Sequence, residues 1–233
     1  MSGVFFDEIV GRDKFFQEIG EDFRHTFLRG QFFWVPVSYC LEKLFLWRPS
    51  DYDESKTSAR EFIMVPAGTD AFNRNMPLHT PQLETNEEFI VVKSKKRPVI
   101  LISPPLQDIK INEVRGGGKI NRRLCIIAPL YSVENKEGKT KFPIEFIEKV
   151  RCLEYPQFFF IPACAGGIKN SFCRLDSIQA CFWSHLEPCD LRLKDYVLQI
   201  FSGQLEYYTT GRYEGNYAYW REEILKERIQ SYK

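Results

Sequence analysis

A short cationic segment at residues 93–98 carries the side chains that are best suited to chemistry on a phosphate group. Its basic residues are Lys93, Lys95, Lys96 and Arg97. Pro98 leads from them into an apolar, β-branched run at residues 99–103, which predicts a cationic turn entering a buried strand. Because proline disfavours helix for the residue before it, we expect Arg97 to be extended at the strand entrance. A guanidinium held there can bind two phosphoryl oxygens.

The positive charge of the chain is local. The formal net charge of the 233 residues is only +1, so no global field draws the protein to nucleic acid. Residues 93–123 nevertheless hold nine basic and two acidic side chains, a net charge of +7, whereas residues 1–24 have a net charge of −3. A solvated lysine-rich loop is the alternative reading of such a run, and charge alone leaves both open.

Hydrophobic periodicity predicts the elements that position these side chains. Apolar residues at helical spacing predict helix over residues 4–28, which Gly11 could divide into two helices. Apolar stripes from Leu193 to Leu205 and from Trp220 to Ile229 predict two C-terminal helices. Residues 47–88 are polar, show little periodicity and are typical of an insertion. Short strands are predicted at residues 32–37, 62–65, 89–92, 99–103, 124–130 and 158–161. Pro36 predicts an edge or bulged strand.

Composition and length indicate an ordinary globular protein with one sizeable core. No apolar run approaches the roughly 18–20 residues that span a bilayer, and the N-terminal segment lacks the basic start of a signal peptide. The seven cysteines are an odd number, and several lie in apolar runs. This pattern favours buried free thiols in a reducing compartment. We therefore expect a cytoplasmic protein that does not enter a membrane.

A cluster of sulfur and imidazole ligands raises the alternative of a zinc site. Cys181, His185 and Cys189 are spaced four residues apart, and Cys173 lies upstream as a fourth ligand. On one helix the three would share a face. Pro188 argues against a continuous helix there, and buried cysteines beside a hydrogen-bonded histidine are the other reading. We therefore predict no metal ligands and no cofactor.

Three blocks of the sequence, taken in order, resemble motifs of the MazF/PemK-type growth inhibitors. Residues 29–36, RGQFFWVP, resemble that family's "R-G-D-hydrophobic-W-hydrophobic-P" strand. Residues 95–103, KKRPVILIS, are similar to its "K-x-R-P-hydrophobic run-S". Residues 126–132, IIAPLYS, resemble its "V-x-A-P-L-T-S". The N-terminal segment, the insertion and the tail after about residue 210 lie outside the resemblance.

The resemblance implies an α+β fold and an RNA-directed activity. The fold would be a small SH3-like bent β-barrel over residues 29–210, with the insertion at about 47–88 and helical extensions at 1–28 and 211–233. The protein would be a homodimer and a metal-independent endoribonuclease that is neutralised by a small antitoxin protein. It would cleave single-stranded RNA by attack of the RNA's own 2′-hydroxyl on the adjacent phosphate.

The resemblance also implies roles for particular residues. Arg97 matches the family's catalytic arginine. Tyr131 stands where the family has its active threonine, and a phenol, which titrates near about 10, is a weak base at neutral pH. Ser132 follows in the predicted catalytic set, although strand alternation points it to the other face. The predicted nucleic-acid-binding residues are Lys93, Lys95, Lys96, Arg122 and Arg123.

Because Tyr131 departs from the family's threonine, three interpretations of the sequence stay open. The first is an RNA-binding protein that acts as an endoribonuclease. The second is a catalytically inactive barrel that binds nucleic acid or protein. The third is an interaction protein with no nucleic-acid role, in which the +7 segment is only a solvated edge.

Overall fold

The structure is a computed structural model, and it describes residues 4–39, 43–50, 61–69, 71–75, 77–78, 82–105 and 123–231. The chain divides into two compact units. Met1–Val35 and Lys96–Lys233 form the first unit, and Pro36–Lys95 forms the second. The predicted insertion at residues 47–88 lies within the second unit. In the part of the chain that is described, no helix is both long enough and apolar enough to cross a bilayer.

Four α-helices and eleven strands are present in the described ranges. The helices are α1 (Phe6–Val10), α2 (Ile144–Arg151), α3 (Asp195–Thr210) and α4 (Gly215–Ser231). The strands are β1 (Phe16–Gln17), β2 (Gln31–Ser38), β3 (Phe45–Pro49), β4 (Phe62–Pro66), β5 (Ile90–Val91), β6 (Ser94–Ser103), β7 (Leu124–Ser132), β8 (Phe158–Ile161), β9 (Ser171–Arg174), β10 (Gln179–Phe182) and β11 (Glu187–Leu193).

The main sheet is a strongly curled, antiparallel half-barrel, and the fold class is α+β, as predicted. Its strands lie in the order β1-β11-β2-β6-β7-β9-β8, and β10 pairs with the first part of β7. Register shifts interrupt the ladder between Leu101 and Ser103 in β6, and between Pro188 and Arg192 in β11. Such irregularities increase the local bend and twist of a strand, which is consistent with the curl of this sheet.

The N-terminal segment corrects the prediction of a helix over residues 4–28. Only α1 is α-helical there, and 3₁₀ turns and β1 follow it. Gly11 and Gly20 have φ values of +78° and +93°, which interrupt any helix. The aromatic periodicity arises instead from tertiary packing, because the fully buried Phe15 packs edge-on against Phe6 at 6.0 Å, and Phe16 lies opposite Leu193 of β11.

The structure also corrects two predictions about strands, the edge position of the strand that contains Pro36 and the turn before Pro98. β2 lies between β11 and β6, so an edge position for this strand is wrong. Pro36 is tolerated because β11 begins at Glu187, opposite Trp34, and Pro36 lies beyond that end. β6 begins at Ser94, so Lys95, Lys96 and Arg97 form part of the strand itself, where a turn was predicted, and Lys93 immediately precedes it. Arg97 is extended, as predicted.

The two C-terminal helices pack closely against each other and against the core. The buried residues of α3 are Val197, Ile200, Phe201 and Gln204. Phe201 packs edge-on against Phe159 of β8, with ring centroids 5.3 Å apart. Leu193, predicted in the helical stripe, belongs to β11 instead. The contact between α3 and α4 is tightest at Gly203, where an added Cβ would lie 2.8 Å from the Cβ of Tyr217.

We predict that Gly203→Ala destabilises the fold by about 2 kcal/mol, because the new methyl group overlaps an atom next to the α4 backbone and forces the helices apart. This cost exceeds the gain of about 1 kcal/mol in helix propensity. Urea unfolding of both proteins measures the difference. Glu206→Gln, at an exposed position of the same helix whose ion pair with Arg212 is open to solvent, should change stability by less than about 0.5 kcal/mol. Equal effects of the two substitutions would contradict the close approach.

The second unit contains a three-stranded antiparallel sheet in the order β4-β3-β5. Its buried polar centre is Glu88, whose side chain is fully buried and pairs with Arg48 at 2.6 Å and with Arg74 at 2.5 Å. Burial alone would raise the pKa of Glu88. The hydrogen bonds and charges of the two arginines outweigh it, so the pKa lies below the ordinary value of 4.5.

We predict that Glu88→Gln lowers the free energy of unfolding by about 2 kcal/mol at neutral pH, because two guanidinium groups lose their shared carboxylate. A lowered folded-state pKa stabilises the protein above the unfolded pKa, and this contribution is lost as pH falls through the folded value. The difference from wild type should therefore disappear well below pH 4.5. Denaturant unfolding at both pH values tests this. Glu84→Gln, a matched exposed carboxylate, should have little effect at either pH.

Candidate nucleic-acid interface

Tyr131 of β7 is flanked by two arginines from the neighbouring strands. The β6–β7 register pairs Val99 with Pro129, and two residues further along the same register brings Arg97 opposite Tyr131. The Arg97 Cζ lies 4.3 Å from the centroid of the Tyr131 ring, and the Arg174 Cζ lies 5.3 Å from it. Because β7 lies between β6 and β9, the two guanidinium groups reach the ring from opposite sides of the strand. We call Arg97, Tyr131 and Arg174 the arginine–tyrosine cluster.

The position of Arg174 is fixed by Asp176. The guanidinium donates two hydrogen bonds to the carboxylate, from Nε at 2.9 Å and from Nη2 at 2.6 Å. Ser177 donates a further hydrogen bond to the same carboxylate at 3.3 Å. The hydrogen bond to Asp176 raises the pKa of Arg174. The bidentate geometry therefore holds a permanently charged group beside Tyr131.

Ser132 is placed in a turn that follows the cluster. Its hydroxyl donates to the carbonyl of Glu134 at 2.6 Å and accepts from the amide of the same residue at 3.2 Å. Ser132 lies opposite Ser171, and Tyr131 opposite Phe172, so the two adjacent side chains of β7 point to opposite faces of the sheet. The hydroxyl is therefore used in ending the strand, and it lies on the face away from Tyr131.

The three predicted lysine contacts precede Arg97 along the chain. Lys96 is exposed, and its Nζ pairs with Glu187 at 2.7 Å, which neutralises part of the cationic segment. Lys95 is exposed in β6. In the second unit, the exposed Lys93 lies over the ring of Tyr39 at 5.6 Å.

Of the two predicted arginine contacts, Arg123 lies at the other end of β7. Arg123 is exposed just before β7, and its Cζ lies 5.6 Å from the ring centroid of Trp183. Arg123 precedes Tyr131 by eight residues along the strand, a path of about 26 Å, and contacts Trp183 instead. Arg122 lies outside the described residues. The structure therefore brings Arg97 and Tyr131 together and leaves Arg123 at a distance.

Sequence reasoning missed Arg174. The signal for it was an Arg-x-Asp pair at the end of an apolar run, since Arg174 and Asp176 are two residues apart. No strand was predicted at residues 171–174, so neither side chain was placed near Tyr131. The zinc alternative also fails, because Cys181, His185 and Cys189 lie in β10, a 3₁₀ turn and β11. The described residues contain no group of three His, Cys, Asp or Glu side chains that could hold a metal ion.

No protein-family model matches this sequence, and no curated protein matches it. Function is therefore inferred from the residues and geometry of the arginine–tyrosine cluster, together with the three sequence blocks.

We predict an energetic coupling of about 0.5–1 kcal/mol between Arg97 and Tyr131, because a guanidinium close to an aromatic ring is attracted by the ring quadrupole. A double-mutant cycle with Arg97→Met and Tyr131→Leu, followed by urea unfolding, measures this coupling. The same cycle with Arg123→Met in place of Arg97→Met should be additive within about 0.3 kcal/mol, because the two sites do not touch. Additivity in the first cycle would show that the cation and the ring do not interact.

Proposed function

We propose that this protein binds single-stranded RNA at the arginine–tyrosine cluster. The observation that carries the proposal is an aromatic ring flanked by two guanidinium groups on one sheet. Guanidinium planes and aromatic rings both stack unpaired bases, and guanidinium N–H groups bind phosphate oxygens in pairs. Arg97 and Tyr131 are half-buried, and the Arg174 side chain is 31% exposed, so the cluster is ordered and still open to a ligand.

The charge distribution favours a single strand over a duplex. Affinity for a duplex backbone comes from many cations spread along the phosphates. Here the net charge is +1, and Lys96 is paired with Glu187. A compact cluster with two guanidinium groups suits a few nucleotides whose bases are unstacked. We therefore expect the RNA affinity to depend weakly on salt. The slope of log affinity against log salt concentration should be about −1.4 for two phosphate contacts.

We further propose that the curled sheet is an SH3-like barrel of the MazF/PemK type. Support comes from the positions of the three sequence blocks, because residues 29–36, 95–103 and 126–132 fall on β2, β6 and β7, which are neighbours in the sheet. Motifs that are distant in sequence therefore converge on one surface. The same resemblance brings the proposals of a homodimer, of a small antitoxin partner and of a cytoplasmic location.

RNA cleavage is the second candidate function, and the paired guanidinium groups favour it. Attack of the 2′-oxygen on the adjacent phosphorus breaks the bond to the 5′-oxygen, and leaves a cyclic phosphate and a 5′-hydroxyl. Two fixed cations could stabilise the additional negative charge of that transition state. The cluster lacks a strong candidate for the proton-transfer group. The Ser132 hydroxyl is hydrogen-bonded to the backbone of Glu134, and the phenol of Tyr131 is a weak base at neutral pH. The geometry therefore supports binding more strongly than turnover.

Replacing either arginine of the cluster should weaken RNA binding. We expect Arg97→Ala to raise the Kd for a short, labelled, mixed-sequence single-stranded RNA about tenfold, because it removes a charged contact of about 1.4 kcal/mol. Arg174→Ala should raise the Kd by a smaller factor, because Asp176 already accepts two hydrogen bonds from that guanidinium. Fluorescence anisotropy at low salt in chelator measures the affinity, and circular dichroism checks the fold. Lys96→Ala is the matched control and should change the Kd less than about twofold, because its charge is already paired. A wild-type Kd in both arginine variants would refute the site.

The cleavage candidate is tested on the same samples. The RNA is recovered after incubation in chelator, and the product ends are mapped. Cleavage by wild type that yields cyclic phosphate ends and is lost in Arg97→Ala would support turnover. Intact RNA in samples that bind it would leave binding as the function. Equal cleavage by wild type and Arg97→Ala would exclude a catalytic role for this arginine.

A further inference from the structure

Cys125 and Cys181 lie directly opposite each other in the antiparallel ladder between β7 and β10. Both are free thiols; Cys125 is fully buried and Cys181 is half-buried. Side chains of directly opposed residues share a face, with Cβ atoms about 4.5–5.5 Å apart. A disulfide needs Cα atoms within about 4.4–6.8 Å, which directly opposed residues satisfy, and Cβ atoms at about 3.5–4.5 Å. A small inward shift would therefore allow these two sulfur atoms to bond.

The strand register distinguishes this pair from other cysteines of the same sheet. Cys173 of β9 lies opposite Leu130 on one side and Phe159 on the other, so it has no cysteine partner in either ladder. Among the assigned strand registers of the described chain, Cys125 and Cys181 are the two cysteines that face each other. The ladder between β7 and β10 therefore brings the two thiols together.

The closed ladder protects both thiols. Burial raises the pKa of Cys125 to about 11, and burial together with the nearby Cys125 raises the pKa of Cys181 to about 12. Since the thiolate is the reactive form, the thiols are inert while the strands are paired. β10 is four residues long, and its described pairing is with β7 alone. A short strand held on one side opens locally at a low free-energy cost, and opening restores ordinary thiol reactivity.

We propose that Cys125 and Cys181 are a modification site, at which a small-molecule disulfide such as oxidised glutathione converts the two thiols into a cross-strand disulfide. One protein thiolate attacks a sulfur of oxidised glutathione, the glutathione S–S bond breaks, and one reduced glutathione leaves with the proton. The second protein thiolate then attacks the protein sulfur of this mixed disulfide and releases a second reduced glutathione. The protein loses two electrons and two protons, and oxidised glutathione gains them.

The disulfide would join β10 covalently to β7. It would prevent the local opening of β10 and restrict the unfolded chain between residues 125 and 181. The oxidised protein should therefore unfold at a higher temperature than the reduced protein. This inference does not depend on RNA binding, since neither cysteine belongs to the arginine–tyrosine cluster.

Peptide mapping of the wild-type protein tests the proposal without any substitution. The reduced, full-length protein is incubated with excess oxidised glutathione, the remaining thiols are alkylated, and the protein is digested without reductant. We expect a linked peptide that contains Cys125 and Cys181, with a mass about 2 Da below the sum of its reduced parts. This species should disappear on reduction, and a parallel melting curve should show the higher unfolding temperature.

A different cysteine pair would contradict the proposal. Cys164 and Cys189 both pack against the main apolar core and are the alternative pair. Cross-linking of Cys164 to Cys189 alone, or only mixed glutathione adducts at Cys125 and Cys181, would overturn the proposal. In variants, Cys181→Ala should abolish the linked peptide, whereas Cys173→Ala should retain it. Loss of the peptide in both variants would mean that the register does not select the pair.

Discussion

The register between β6 and β7 is the constraint on which the candidate site depends. A shift of one residue in either strand would turn Arg97 or Tyr131 to the other face of the sheet, because side chains alternate along a strand. The register is fixed by burial, since Val99, Ile100, Leu101 and their partner strand residues Ile127 and Ala128 are fully buried. Packing of the apolar half of β6 therefore sets the position of its charged half.

The protein holds its charged groups in three different ways. Arg174 is oriented by a carboxylate two residues away, and Arg97 lies against the ring of Tyr131. Glu88 is buried between two arginines and shares its charge with both. Arg97 and Arg174 lie beside the Tyr131 ring on the main sheet, which is the surface at which we propose that a base and a phosphate bind together. A count of basic residues along the chain does not distinguish these cases.

Particular elements show where sequence reasoning succeeded and where it failed. The run at residues 158–161 forms β8 with the same bounds, and the C-terminal stripes correspond to α3 and α4, because a continuous apolar pattern determines its own local structure. The prediction of a helix over residues 4–28 was wrong, because Phe15 and Phe16 pack against strands that are distant in sequence and because Gly11 and Gly20 turn the chain. In this segment the aromatic residues recur at helical spacing because they pack against other elements, and not because they form a helix.

Local sequence patterns predicted helices and strands along the chain, including the strands that carry the three motif blocks, and the extended conformation of Arg97 before Pro98. Those features depend on neighbouring residues, through hydrophobic periodicity and the restriction that proline places on its predecessor. Strand pairing brings Arg174 to Arg97 at Tyr131, Glu187 to Lys96, and Cys181 opposite Cys125, and none of these contacts could be predicted from the sequence. These pairings join residues that are 43 to 91 positions apart, and strand order and register, which local sequence does not encode, bring them together.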